Sequence, residues 1–320
     1  MPTSVATPGR RHDRREYLDY VVGVVCEWLS GGAMTRRHGE VRSAAGLNPL
    51  GHVAWGYRDR SEFLARAAEY IADGLARNQR ILYACDASSA ALRNELDEMG
   101  FAEAVRTGQI AVTPVAEHYR FVPGTDVVDA EATVADGVAA MNYVVGAGCS
   151  GCRAVVDGAV LVRTPEQRAA FARLEYLVDQ KMAVLPFAAL CAYNLTLLGD
   201  AAKELMCLHP MVNTGAVGFR IYAGQGIDFA LAGELDAAVH AAFSTALQWI
   251  WPLAAGDEVV IDARALDFVT HPQLVALDRL AAADGRQVVL RTDRRMVARL
   301  AKLLGLTNLR VEAPDLADVG

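Results

Sequence analysis

The sequence predicts an α/β protein made of two units, a larger one on a mostly parallel sheet and a smaller one on a mixed sheet. Three observations carry this. Between residues 50 and 212, short apolar runs alternate with stretches whose apolar residues recur at helical spacing; strands that are apolar throughout belong to sheets covered on both faces. Near Gly215 the rhythm gives way to two short runs around a Gly-Gln-Gly turn, the pattern of an antiparallel hairpin. At 320 residues the chain is long enough for two cores. The expected divisions are an extension over 1–49, a first unit over 50–212 and a second over 215–320.

Residues 1–9 are expected to be disordered. From 10 to 50, seven arginines stand against five acids, a local excess of positive charge in an acidic chain. Residues 17–29 predict a helix with Tyr17, Val21, Val24, Val25 and Trp28 on one side, ended by Gly31 and Gly32. It reads either as a loosely attached appendage or as a docking or dimerisation helix, so a homodimer is one expectation.

The first unit opens with the apolar run 52–57, followed by Asp59, Ser61 and Glu62 as N-terminal chemistry for a helix with Phe63, Ala67, Tyr70, Ile71 and Leu75 on one face. Residues 81–85 and 110–115 predict strands, with a helix from Ser88 to Met99 between them, and 134–145 predict a further helix. The stretch 153–210 then reads strand, helix, strand, helix. Thr164, Pro165, Glu166 and Gln167 supply an N-cap, a first-turn proline, an acid and a capping-box partner. Pro186 stops that helix, and 187–193 runs apolar into a strand. Ligands of such folds sit at the carboxyl ends of the strands.

The second unit has a hairpin over 219–223 and 227–232, and Gly233 to Asp236 leading into a helix over Val239, Phe243, Leu247 and Ile250 that Pro252 stops. Strands over 258–263, 288–291 and 309–311 alternate with helices over 273–283 and 296–304.

A net charge of −7 and a pI near 5.5 argue against nucleic acid as a partner. No apolar run approaches the roughly 18 residues of a membrane span, and no apolar stretch follows the basic N-terminal residues as a secretory signal requires. Six cysteines are too few for a disulfide scaffold, so reduced thiols and a cytoplasmic location are expected.

The chain has no G-x-x-x-x-G-K-[ST] loop, no G-x-S-x-G and no H-E-x-x-H. Gly146, Gly148 and Gly151 have dinucleotide-loop spacing, but they precede a strand instead of opening a helix. Cys149 and Cys152 form one C-x-x-C, half of a zinc site, which Cys85, Cys191 or His209 would have to complete; as incidental thiols they carry nothing. His52, His118 and His209 fall near strand ends or loops. They are either hydrogen-bonded structural residues or converge with Glu175 and Cys191 on a ligand or metal. Glu175, one residue past the apolar Leu174, is either solvated or part of that site, and Tyr57, Tyr119, Tyr176 and Tyr193 are candidates for a pocket wall.

Several pieces together resemble the MEDS sensory domain: H-V-A-W-G-Y at 52–57 with the following S-E-F-L, Y-I-A-D-G-L-A-R-N-Q-R-I-L-Y at 70–83, F-A-R-L-E-Y-L-V-D at 171–179, L-C-A-Y-N at 190–194 and L-H-P at 208–210. The resemblance implies a RecA-like fold, as in circadian-clock ATPases, without their phosphate loop. It also implies a small-molecule ligand, for which His52, Tyr57, Glu175, Cys191, Tyr193 and His209 are the candidate contacts; no cofactor follows from it. Downstream, F-A-L-A-G-E-L-D-A-A at 229–238 and V-V-I-D-A-R-A-L-D-F-V at 259–269 resemble a STAS domain, the fold of anti-sigma factor antagonists. That family carries D-S-S-G or D-S-T-G at its switch loop, where a partner kinase phosphorylates a hydroxyl. Here Thr270, His271, Pro272 and Gln273 align there, with Pro272 at the hydroxyl position. The two resemblances imply a cytoplasmic signalling regulator of transcription, as in actinobacterial regulators, and not an enzyme. A ligand-binding unit would control a second unit that binds an anti-sigma factor or another STAS-binding protein. A metal- or thiol-responsive switch and a degenerate nucleotide-binding enzyme are the alternatives.

Overall fold

The computed structural model describes residues 36–47 and 50–312. The predicted helix over 17–29 and the predicted disorder of 1–9 lie outside them. Seven strands form one all-parallel sheet: β1 (Gly39–Val41), β2 (His52–Tyr57), β3 (Arg80–Cys85), β4 (Ile110–Pro114), β5 (Cys152–Asp157), β6 (Phe187–Asn194) and β7 (Met211–Asn213), in the order β1-β7-β2-β6-β5-β3-β4. Helices cover both faces, as uninterrupted apolar strands require. One face packs against α1 (Arg60–Ala76), α2 (Ser89–Glu98) and α3 (Ala102–Arg106). The other lies against α5 (Ala130–Gly146) and α6 (Pro165–Met182) and against α8 (Ala201–Met206). The short α4 (Val115–His118) follows β4, and α7 (Leu195–Leu198) follows β6.

Alternation along β2 decides what reaches each face. Ala54 packs with the α6 side, while Val53, Trp55 and Tyr57 pack with α1. On β6, Ala189 and Tyr193 join the α6 side, while Ala188, Leu190 and Ala192 face α1. Arg153, read from sequence as part of an apolar strand, is fully buried; its guanidinium pairs with Asp73 at 2.7 Å and lies 4.6 Å over the Tyr70 ring. Gly74 makes room for the stem, since a Cβ there would stand 2.8 Å from Arg153 Cδ.

A second sheet of five strands joins β8 (Phe219–Gly224), β9 (Ile227–Leu235), β10 (Glu258–Val269), β11 (Gln287–Arg291) and β12 (Leu309–Glu312) in the order β12-β11-β10-β9-β8. The β8–β9 pair is antiparallel, the predicted hairpin, and the other pairs are parallel. Its helices are α9 (His240–Ile250), α10 (His271–Asp284) and α11 (Arg295–Leu303).

Several boundaries differ from the sequence reading. Gly233 to Leu235, read as the entry to a helix, end β9; Gly233 has φ +84°, and a Cβ there would meet the Gly218 carbonyl at 2.4 Å. The strand read as 258–263 runs on to Val269, because its pairing with β9 resumes after register shifts. Helix α10 starts at His271, with Thr270 at the N-cap and Pro272 in the first turn, two residues before the expected start. Of the basic stretch over 10–50, read as an appendage or a docking element, the described end contributes β1 to the main sheet, and Ala44 and Leu47 are buried.

Helix α6 lies between the two sheets. Its start is the predicted capping box: Thr164 accepts from the Gln167 N–H, and the Gln167 side chain accepts from the Thr164 N–H. On the far side, Tyr176 packs at 5.3 Å against Phe229, and its hydroxyl donates to the Asp228 carbonyl. Phe219, Phe229 and Phe243 are fully buried beyond it, each worth about 1.5–3 kcal/mol relative to exposure. One apolar core therefore runs through α6 from one sheet to the other.

Candidate functional site

Four side chains with ligand atoms meet under α6 on the face of the main sheet. His52 comes from the first position of β2, Cys191 from the middle of β6, Glu175 from the third turn of α6, and His209 from the four residues between α8 and β7. The β2–β6 register pairs His52 with Ala189 and Ala54 with Cys191, which places His52 and Cys191 on one face two residues apart. All four ligand atoms lie within 4.8 Å of one another, and no other such group of three or more occurs among the described residues.

Glu175 Oε2 is 3.2 Å from His52 Nε2 and 3.4 Å from His209 Nε2. Cys191 Sγ is 3.4 Å from His52 Nε2 and 3.8 Å from Glu175 Oε2. The two imidazole rings are 4.0 Å apart. A ring of outer partners holds these groups. His52 Nδ1 donates to Asp179 Oδ1 at 2.9 Å, His209 Nδ1 donates to the Leu205 carbonyl at 3.2 Å, and the Tyr193 hydroxyl donates to Glu175 Oε1 at 2.5 Å. His209 Nε2 is buried and makes no hydrogen bond despite its closeness to Glu175.

The electrostatics follow from burial set against neighbours. Burial alone would raise the Glu175 pKa, but His209 and His52 outweigh it and hold the carboxyl well below its usual range. Burial alone would lower that of His52; the Cys191 sulfur, Asp179 and Glu175 raise it instead. His209 is lowered, first by burial and then by His52. The Cys191 thiol is pushed up to about 11, by burial and then by Glu175.

Asp179 was not singled out from the sequence, although it lies one helical turn beyond Glu175. It is completely buried and accepts from three directions: His52, the Arg36 guanidinium and the Ala223 N–H of β8 at 2.7 Å. Arg36 also donates to the Ala223 carbonyl at 2.9 Å. Asp179 thus ties the imidazole of the cluster to the edge of the second sheet.

Beside the cluster, a cavity of about 80 Å³ lies between α5, α6 and the sheet. Met141, Val156, Leu174, Val178 and Phe187 make it apolar, and Glu175 and Cys191 form one wall with His118 and Tyr119 nearby. It is about half of the roughly 150 Å³ apolar cavity that takes benzene, so it suits a molecule of a few non-hydrogen atoms. It opens over the sheet face and not at the carboxyl ends of the strands, where the sequence reading expected a ligand.

The remaining candidates are placed elsewhere. Tyr57 has the opposite parity to His52 and donates to Asp157 Oδ2 at 2.7 Å on the other face. There Arg60 bridges Asp157 at 3.2 Å and Glu95 at 2.7 Å, and Tyr83 donates to Glu95. Cys149 and Cys152 do not reach the cluster: Cys152 opens β5, while Cys191 is level with Val156, four residues further on, or about 13 Å. Of the expected switch loop, His271 is exposed, Thr270 and Pro272 are half-buried and Gln273 is fully buried. The Gln273 amide donates to the Asp236 carbonyl and its side chain meets the Thr270 hydroxyl, so it anchors the start of α10 and is not available to a partner. Tyr176 faces the second sheet, not a pocket. Among the described residues no helix is long and apolar enough to cross a membrane.

Residues 51–210, half of the chain, match the family MEDS, the methanogen/methylotroph, DcmR sensory domain. No curated protein matches the chain.

Proposed function

The chain belongs to the MEDS family of sensory domains, and from that premise we propose that it is a signalling regulator whose cavity binds a small, largely apolar molecule and whose second sheet carries the output to a protein partner. The observation that carries this reading is the double duty of α6. Glu175 faces the cavity, and one turn later Asp179 holds both His52 and the β8 backbone. A ligand that moves α6 against the main sheet therefore changes contacts of the second sheet directly, provided its affinity differs between the two positions.

The partner is an anti-sigma factor of the ATPase-fold kinase type or another STAS-binding protein. The A-G-E-L-D segment and the strand that pairs with it support this by their STAS-like sequence. So does the exposed apolar surface of Phe268 and Met296 around the N-terminus of α10. Control comes from the ligand-binding unit and not from phosphorylation, because Pro272 has no hydroxyl. The experiment is a titration of the full chain against such anti-sigma factors, for wild type and Phe268→Asp/Met296→Asp. Binding that the double substitution removes supports the reading; no binding by the wild type to any of them, with or without small organic molecules, overturns it.

A nucleotide-binding enzyme is the poorer reading. At the carboxyl ends of the strands, where such a fold would take phosphates, Arg60 is spent on Asp157 and Glu95.

A further inference from the structure

We propose that His52, Glu175, Cys191 and His209 form a closed four-coordinate site for a divalent transition metal, zinc first, built into the wall of the cavity. This does not depend on the sensory reading, since it rests on the donor geometry alone.

Four observations support it. The first is spacing. Zinc bonds of about 2.0–2.1 Å to nitrogen and oxygen and about 2.3 Å to sulfur, arranged tetrahedrally, put N and O donors about 3.3 Å apart and sulfur about 3.6 Å from either. Four of the six separations are close to this, 3.2 and 3.4 Å for two N–O pairs and 3.4 and 3.8 Å for two pairs with sulfur, and the remaining two, from His209 Nε2 to His52 Nε2 and to Cys191 Sγ, are within 4.8 Å.

The second is the outer ring. A metal-bound histidine almost always donates its other N–H to a carboxylate or a backbone carbonyl. His52 gives its Nδ1–H to Asp179 and His209 gives its own to the Leu205 carbonyl. Both Nε2 atoms are left pointing inward. Tyr193 occupies the spare oxygen of Glu175 and turns Oε2 toward the centre.

The third is an unmet demand. With Nδ1–H given to Leu205, a neutral His209 presents an Nε2 lone pair to the Glu175 carboxylate, and that nitrogen is buried without a partner. Two lone pairs face each other unless a metal ion, or a second proton on His209, lies between them. A network of hydrogen bonds satisfies His52 but leaves this nitrogen orphaned, at a cost of about 1–3 kcal/mol.

The fourth is charge. A metal-bound thiol is deprotonated, so a dication with Cys191 thiolate, Glu175 carboxylate and two neutral imidazoles sums to zero in a place where His52, Glu175 and His209 are buried and Cys191 is half-buried. Asp179 is balanced separately by Arg36. The metal would also fix Glu175 and Cys191 in the cavity wall, so that its loss reshapes the space offered to a ligand.

The test uses the purified full-length chain, stripped with a chelator and titrated with Zn²⁺ or Co²⁺. One equivalent should bind per chain. The cobalt form should show a cysteinate charge-transfer band and the intense visible bands of four-coordinate cobalt, and X-ray absorption of the zinc form should count one sulfur neighbour. Cys191→Ser should abolish the charge-transfer band. His209→Gln should weaken binding by more than the roughly 10–100-fold that losing an outer partner costs. Cys149→Ser/Cys152→Ser should change neither stoichiometry nor spectrum. No binding by the stripped wild type, two sulfur neighbours, or a charge-transfer band that survives Cys191→Ser each overturns the proposal. Should the cysteine variant not fold, the sulfur count on the wild type still decides.

Discussion

Two of the buried polar groups on the main sheet, one at the carboxyl ends of its strands and one under α6, are satisfied in opposite ways. At the strand ends Tyr57, Arg60, Tyr83, Glu95 and Asp157 form a loop in which the contacts are made among themselves. Burial is the strongest influence on Asp157, and its pKa rises despite Tyr57, the Ala159 N–H and Arg60. Under α6 the partners win instead: Glu175 and Asp179 are both held low against complete burial, Asp179 at about 2 by Arg36 and His52. Yet one nitrogen there has no partner. Similar residue types in one sheet thus give a closed lock in one place and an open demand in the other. The second borders a cavity and reaches the second sheet.

This contrast can be broken or sharpened by substitution. Asp179→Ala should cost most, about 3–5 kcal/mol in urea denaturation, because it leaves Arg36 and His52 buried without their carboxylate. A loss no greater than that of a strand-end variant would erase the contrast. Tyr193→Phe should cost about 1.5–3 kcal/mol, the worth of a hydrogen bond to a charged group, and should weaken zinc binding about 10–100-fold, read by competition with a chelating dye. Tyr57→Phe should cost only about 1 kcal/mol, since Asp157 keeps Arg60, and should leave the zinc affinity unchanged. The smallest effect concerns pH. A carboxyl with a raised folded pKa holds its proton more tightly in the folded state. Asp157 thus contributes stability that is full below the ordinary aspartate value of about 3.9 and is lost as pH rises through the folded value. Asp157→Asn should flatten that part of the stability curve; a wild-type slope unchanged by the substitution would show that burial does not govern this carboxyl.

Much of the fold was legible because its signals are local. The apolar run 52–57, the capping box at Thr164 and Gln167 and the Gly-Gln-Gly hairpin each fix an element from a few neighbouring residues. The cluster was half legible: His52, Glu175, Cys191, Tyr193 and His209 were picked by chemistry and position. Parity along β2 would have removed Tyr57 at once, since an odd step from His52 faces the other side of a strand. Asp179 carried a weak signal, four residues from Glu175 on one helix face. Arg36 carried none, because its bond to Asp179 joins residues 143 apart in sequence. The C-x-x-C spacing could not decide between half a zinc site and incidental thiols, because spacing says nothing of which end of a strand a loop adjoins. Strand β1, three residues long, is too short for any periodicity to show.

That short strand has a practical consequence for anyone dissecting the protein. A fragment cut to residues 51–210 would lack β1, β7 and Arg36. Strand β2 would then present a naked hydrogen-bonding edge, a template for intermolecular pairing, and Asp179 would keep only His52 of its three partners. Such a fragment should precipitate or form sheet-mediated assemblies, and one starting before Arg36 and ending after the second sheet should not. The boundaries along which this sequence is recognised are thus not those along which it can be cut.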